Sequence, residues 1–482
     1  MQLSHTRPVT SAVFDDPNLV SAAGLVPLVR LAQAAGLTEL AQDRLTVPTD
    51  KGANAGLKVT SLVAGMAAGA DSVNDMALLR HGGMGRVFTR AYAPSTLGSF
   101  LRAFTFGHVR QLDAVASRFL LALDEVTPLL GAPDGRGPDG GGEQPSQAPY
   151  ACLDVDDTIM VHGHAKQGAG FGYSGVRGLN ALIATVTTET SAPVITGQRL
   201  RKGGCGSPRG AKRMIADALT TTRRLLGPDT RILLRADSAF YGADVVHAAL
   251  TGGADVSITV RLDSNVRKAI ADIPADAWTK ITYPNPIFDQ ATGTWVSRAE
   301  VAEIGYTAFS SKSKAKRVTG RLVARRIPDA NAERNKAAGQ DALFDVWRFH
   351  AFFTTTDPGL LDTVAADKTH RGHAVIEQVH ADLKGSALAH LPCGKFTANA
   401  AWLVLAVLAF NLTRAAGTLT GQPALAKATT GTLRRKLIHI PARAASSARR
   451  QILHLPTDWP WEQAWTELFV RTCGPPPANA RT

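Results

Sequence analysis

Three acidic positions in this 482-residue chain are set where carboxylates could share one task. The first lies in Leu153-Asp154-Val155-Asp156-Asp157-Thr158, three acids inside a β-type run. An unpaired carboxylate is costly to bury. A divalent cation that neutralises the cluster would explain it; a strand end with capping acids is the plainer alternative. Strand alternation sets Asp154 and Asp156 on one face and Asp157 on the other. The second is Asp237, in Arg235-Ala236-Asp237-Ser238-Ala239-Phe240-Tyr241-Gly242, where an apolar strand ends and a turn leads into a helix. Ligand sites in α/β sheets sit at such strand ends, although Asp is also a common helix N-cap. The third is Glu377, in the segment from His370 to Lys384. On a helix His373, Glu377, His380 and Lys384 form one stripe beside an apolar stripe of Ile376, Val379 and Leu383. An amphipathic helix with a solvated face would show the same pattern. Asp382 lies about 140° around that helix from Glu377 and is expected to be inert.

Other chemistries lack their signatures. The chain has no GxxxxGK[ST], no GxSxG and no HExxH, and residues 203–210, GGCGSPRG, fit no phosphate-loop pattern. His370 and His373 lack an obvious third zinc ligand. Cys152, Cys205, Cys393 and Cys473 are scattered with no CxxC, which disfavours a disulfide framework and fits a reducing compartment.

The elements that must position these acids follow from patterning. Residues 1–130 read as helical, with Pro27 to Ala41 and Val59 to Ala68 apolar at helical spacing. This unit is expected to bind DNA, with Arg102 and Arg110 among aromatics; plain helical packing is the alternative. Residues 131–149, rich in Gly, Pro, Asp and Gln, read as a flexible linker. From Tyr150 the expected order is strand, strand, strand, helix, strand, helix, strand, ending near residue 262. Residues 263–355 alternate short β-like runs with turns and read as a β-rich insertion. Residues 356–420 hold a helix over Lys368 to Lys384 and a buried helix over Thr397 to Ala416. Residues 421–482 form a basic region with two short β-like runs in LRRKLIHIPARAASSARRQILHLP.

Hydrophobic residues make up 45% and charged residues 19%, enough for sizeable cores and against a wholly disordered, collagen-like or coiled-coil chain. At roughly 150 residues per domain the length suggests about three. The longest apolar run, Ala400 to Phe410, is short of the about 20 residues a membrane span needs, so no membrane association is expected. The opening MQLSHTRPVTSAVF lacks a basic segment followed by an apolar one, so a secretory signal is not expected. Lys and Arg number 53 against 40 Asp and Glu, a net charge of +13. Residues 197–235 hold ten basic and two acidic side chains, 311–326 seven and none, 401–482 ten and three. Such stripes suit a phosphate backbone, and an arginine-favouring genome gives the bland account.

Together, LDVDDT, RADSAFYG and HRGHAVIEQVHADLKGSALAHLPCGKFTANAAW resemble the DDE transposases of bacterial insertion sequences. The nearest likeness is to the thirteen-eighty group of the insertion-sequence-four superfamily, over about residues 90–470. The resemblance implies an α/β fold: a ribonuclease-H-like catalytic core (150–262 and 356–420) with a β-rich insertion, behind a helical N-terminal domain. The family pattern Asp-x-Thr selects Asp156 with Thr158, leaving Asp154 and Asp157 open. The family's Tyr-x2-Arg-x3-Glu-x6-Lys motif matches Glu377 and Lys384, while its Tyr and Arg places hold His370 and His373. Phosphate contact is therefore assigned to Arg371, with five residues between it and Glu377 instead of the family's three, and to Lys384.

The resemblance implies two-metal phosphoryl transfer with Mg2+, for which Mn2+ may substitute, on Asp156, Asp237 and Glu377. It implies cutting of double-stranded DNA at terminal inverted repeats and joining of 3′-ends to target DNA, by a homodimer in the bacterial cytoplasm, associated with the nucleoid. An insert aromatic, Trp295 or Trp278, would hold a flipped base, and Arg434, Arg435 and Lys436 would contact DNA. The rival readings are an inactive or domesticated DNA-binding protein and a metal-dependent nuclease without strand transfer.

Overall fold

The computed structural model describes residues 11–88, 90–131, 150–161, 166–289, 293–328, 347–447 and 450–475. Apart from its first residue, the expected linker 131–149 lies outside the described residues.

The chain opens with strand β1 (Leu19–Val20) and a helical stretch of which five helices matter here: α1 (Leu25–Ala34), α2 (Leu37–Arg44), α3 (Ala55–Ala67), α4 (Pro94–Arg102) and α5 (Phe106–Val126). Helix α5 starts at Thr105, whose hydroxyl accepts from the His108 amide while His108 Nδ1 accepts from the Thr105 amide. This reciprocal cap satisfies two otherwise orphaned donors.

A ten-stranded mixed sheet follows. Its first strands are β2 (Ala151–Val161), β3 (Gly170–Phe171), β4 (Arg177–Thr187) and β5 (Val194–Arg201). Helix α6 (Ala211–Leu226) buries Ala211, Met214, Ile215, Ala218, Leu219 and Thr222, the stripe that a 3.6-residue repeat produces. It stops at Gly227, whose φ of 91° only glycine adopts readily. Strand β6 (Ile232–Ala236), helix α7 (Ala243–Thr251), strand β7 (Asp255–Thr259) and helix α8 (Ser264–Ala271) complete this part. Strand β4 runs antiparallel to β2, β6 runs parallel to β2, and β7 parallel to β6, giving the order β5-β4-β2-β6-β7. Every residue of β6 is buried, as expected of an interior parallel strand.

Strands β8 (Thr279–Asp289), β9 (Thr294–Ala308), β10 (Val318–Pro328) and β11 (Trp347–Thr354) fall in the expected insertion. They extend the same sheet, because β11 pairs antiparallel with β7. The expected helix over 368–384 is in fact two, α9 (Thr363–Arg371) and α10 (Val375–Lys384), separated by a 3-10 turn at Gly372–Ala374.

Helix α11 (Phe396–Leu419) is long and apolar enough to cross a membrane, but 89% of its most apolar window is buried inside the protein. Its polar residues are matched to neighbours: Asn411 accepts from the Ile195 amide and donates to the Ile195 carbonyl. This helix packs against α3, α4 and α5, so the N-terminal helices and the C-terminal part share one core. The join continues where β1 pairs with β12 (Ala442–Ser447), itself paired with β13 (Arg450–His454). The first expected β-like run of the tail is a π-helical turn, Arg434–Ile438, which buries Leu437 and Ile438. Helix α12 (Glu462–Cys473) packs on α1.

Candidate active site

Three acids of β2 meet three different environments. Asp154 is fully buried, and Arg235 Nε and Nη2 donate to its two oxygens at 2.8 and 2.7 Å. His373 Nδ1 lies 2.9 Å from the same carboxylate. Asp157 accepts from Arg201 Nη2 at 2.7 Å and from Asn180 Nδ2. Arg201 Nη1 also donates to the carbonyls of Ser207 and Arg209, so Asp157 helps order the glycine-rich loop at 203–210. Among the described residues, no arginine or lysine pairs with Asp156. Its one short hydrogen bond comes from the Asp157 amide, at 2.7 Å.

Register brings the second acid alongside. Strands β2 and β6 are parallel, with Asp154 opposite Arg235 and Val155 opposite Ala236. One step further the same register sets Asp156 beside Asp237, on strands about 4.8 Å apart. Burial pushes the Asp156 carboxyl up to about 7, and the Asp237 charge adds to the rise. Asp237 is open to solvent, yet crowding protein atoms also raise its carboxyl, against the pull of the Ala239 amide that donates to it at 3.0 Å. Two adjoining carboxylates of raised pKa form a site that a cation would relieve.

Helix α10 lies against β2. His380 Nδ1 approaches Asp156 at 3.7 Å. Burial lowers the His380 imidazole to about 4, so this is a neutral contact and not an ion pair, and its buried Nε2 has no partner. Glu377 is exposed, on the turn between His373 and His380. Among the described residues no three His, Cys, Asp or Glu side chains form a ready-made metal cage. Lys384 is exposed; burial of its stem lowers the amine and the Asp156 charge partly offsets this.

The other expected site residues are distributed more widely. Arg371 donates to Asp367 at 2.8 Å and stacks over Tyr283 at 4.7 Å. His370 is half-buried, stacked on Phe352 at 4.1 Å and bonded to the Ser257 and Thr259 hydroxyls. Trp295 is 69% exposed. Trp278 instead packs under the Arg326 guanidinium at 4.2 Å, which Trp347 covers from its own side at 4.5 Å. Arg434 turns inward, Nε donating to the Ala67 carbonyl. Arg435 is exposed, and Lys436 lies over the Trp461 ring at 5.1 Å. Asp382, expected to be inert, has a side chain only 5% exposed, receives the Thr430 amide and hydroxyl, and pairs with Arg414 at 3.5 Å. Sequence reasoning missed the roles of Arg235, Asn180 and Arg201; the arginine two residues before Asp237 was the available signal.

Comparison with known proteins gives a family. No curated protein matches the chain. Among solved structures, a piggyBac transposase synaptic complex with hairpin DNA aligns at a TM-score of 0.39 and 9% identity, covering 88% of this chain and 79% of that one. The family model described as transposase DDE domain group 1 matches residues 144–472, which include all three acids, and the chain belongs to that family.

Proposed function

We propose that this protein is a DNA transposase of the insertion-sequence kind, with a ribonuclease-H-like core, that cuts double-stranded DNA at terminal inverted repeats and joins the 3′-ends to target DNA. The observation that carries this reading is Asp156. It is the one acid of its strand left without a cationic partner, and it adjoins Asp237 in register. The order β5-β4-β2-β6-β7, antiparallel on one side of β2 and parallel on the other, supports the ribonuclease-H-like reading. Assignment to the thirteen-eighty group rests on the three motifs.

The donor chemistry fits a magnesium ion, with manganese able to substitute: Asp156 and Asp237 are neighbouring hard oxygen donors. Asp156, Asp237 and Glu377 would hold it, Glu377 reaching from the exposed face of α10. When bound, such ions supply charge neutralisation for the oxygens exchanged at phosphorus. The chain's own groups do the rest. Lys384, on the helix that covers Asp156, contributes positive charge toward a phosphate. His380 is neutral and shields one side of Asp156 from water. Trp295, 69% exposed, is the insertion aromatic on which a flipped base would stack, worth about 1–3 kcal/mol. Arg371, Arg435 and Lys436 contribute to DNA binding, and pairing of two ends requires a dimer on DNA.

Paired end oligonucleotides with Mg2+ test the reading. Joined strand-transfer products are expected. Cleavage without joining would replace it with a nuclease, and salt-sensitive binding without cleavage would leave an inactive DNA-binding protein.

A further inference from the structure

Arg235, Asp154 and His373 form a cluster that the proposed reaction does not use. Asp154 is completely buried and the Arg235 side chain is 5% exposed. The carboxylate accepts two bonds from the guanidinium and one from His373. Facing an acceptor-only carboxylate, His373 Nδ1 is the donor. The remaining guanidinium nitrogen, Nη1, donates to the Thr369 carbonyl in the last turn of α9. Gly372 stands against that same nitrogen: a Cβ there would lie 2.5 Å from it. The φ of Gly372 is an ordinary −59°, so the glycine is needed for room and not for conformation.

These contacts bracket the break between α9 and α10. Thr369 lies before the break and His373 within its 3-10 turn. Each member also stands at a short offset from a candidate acid. Asp154 precedes Asp156 by two residues on β2, Arg235 precedes Asp237 by two on β6, and His373 precedes Glu377 by four. An offset of two on a strand keeps to one face, and His373 stands in the turn from which the helix of Glu377 starts. A buried ion pair is weak evidence for stability, since apolar replacements often serve as well. Its placement across all three acid-bearing elements argues for geometry.

We propose that Arg235, Asp154 and His373 are positioning residues: they fix the helix break from the strand side and so hold Glu377 toward Asp156 and Asp237. The inference rests on the reading of those three acids as the reactive set. None of the three positioning groups needs to touch DNA or cation.

The test measures Mn2+ binding to the DNA-free full-length protein by electron paramagnetic resonance, cleavage of end DNA, and thermal melting. His373→Ala should weaken Mn2+ binding and cleavage about 10–100-fold, the usual effect of removing a group that orients a ligand. His373→Asn should recover most of both, because its side-chain amide donates from the place of Nδ1. His373→Gln, whose amide lies nearer the place of Nε2, should not. Gly372→Ala should resemble His373→Ala by displacing Arg235. Wild-type behaviour of His373→Ala, or rescue by Gln and not Asn, overturns the proposal. If the Ala variant unfolds, the Asn and Gln pair still decides. Glu377→Gln separates the two claims. If it binds Mn2+ and cuts like wild type, the functional reading fails and takes the proposal with it. If it is dead while His373→Ala is intact, the reading stands and only the proposal falls.

Discussion

Asp154 and Asp156 sit two residues apart on one face of one strand, yet Arg235 neutralises the first while the second adjoins another carboxylate. The same substitution at the two positions should therefore act in opposite directions on stability. Asp154→Asn strands the buried Arg235 charge and should cost about 3–5 kcal/mol. The raised Asp156 pKa means that the folded state keeps its proton while the unfolded chain has lost it. Without metal, the Asp156 contribution to stability should fall as pH rises from about 4 to about 7. Asp156→Asn removes that penalty and should stabilise the metal-free protein above pH 7 by on the order of 1–3 kcal/mol. Denaturant melts in chelator at pH 5 and pH 8 check both; equal effects of the two substitutions would contradict the assignment.

His370 has the opposite pH signature. The packing around it lowers its imidazole from 6.5 to about 3, by desolvation first of all. The unfolded chain takes up this proton below about pH 6.5 and the folded state does not. Its contribution to stability is present above that pH and is lost as pH falls toward 3. His370→Gln, which can still bond the Ser257 and Thr259 hydroxyls, should flatten the acid limb of a stability–pH curve. An unchanged limb would show that His370 titrates normally.

Asp382→Asn should not be silent. Asp382 receives the Thr430 amide and hydroxyl and pairs with Arg414, so losing its charge should cost about 1–3 kcal/mol. The expected phenotype is a lower melting point with cleavage intact at permissive temperature. A loss of cleavage in fully folded protein would instead place Asp382 in the reaction.

Strands, helices and the order of the acids were legible because they depend on local patterning. The buried run Ile232–Ala236 and the stop at Gly227 need no knowledge of the rest of the chain. The pairings were not legible. Arg235 reaches Asp154 across 81 positions and Arg201 reaches Asp157 across 44, through strand register alone. Helical periodicity continues through Gly372, and only the guanidinium of another strand explains the break there. Basic runs misled in the same way. Arg434 and Arg201 read as surface charge, but one caps a backbone carbonyl of the N-terminal helices and the other a buried acid.

Lys312, Lys314 and Lys316 crowd an exposed turn after β9, with Arg317 exposed beside them and its Nε donating to the Lys312 carbonyl; Arg321, Arg325 and Arg326 pair with acids. Changing all three lysines to Ala should weaken DNA binding alike for every sequence. If each contacts a phosphate, it should also reduce the slope of log affinity against log salt by about 0.9 per residue. Arg434→Ala should lower the melting point without a comparable change in slope. Titrations at several salt concentrations decide, and an unchanged slope in the triple variant would remove this turn from the DNA interface.

The most direct test of the account is cleavage of end DNA by Glu377→Gln, with affinity for the same DNA measured in parallel. The account predicts folded protein with DNA affinity equal to or above wild type, because one charge that repels phosphate is gone. It predicts a fall in both cleavage and strand transfer of orders of magnitude, because a hard anionic ligand is lost. Wild-type cleavage by the Gln variant would contradict the claim that Asp156, Asp237 and Glu377 form the reactive set.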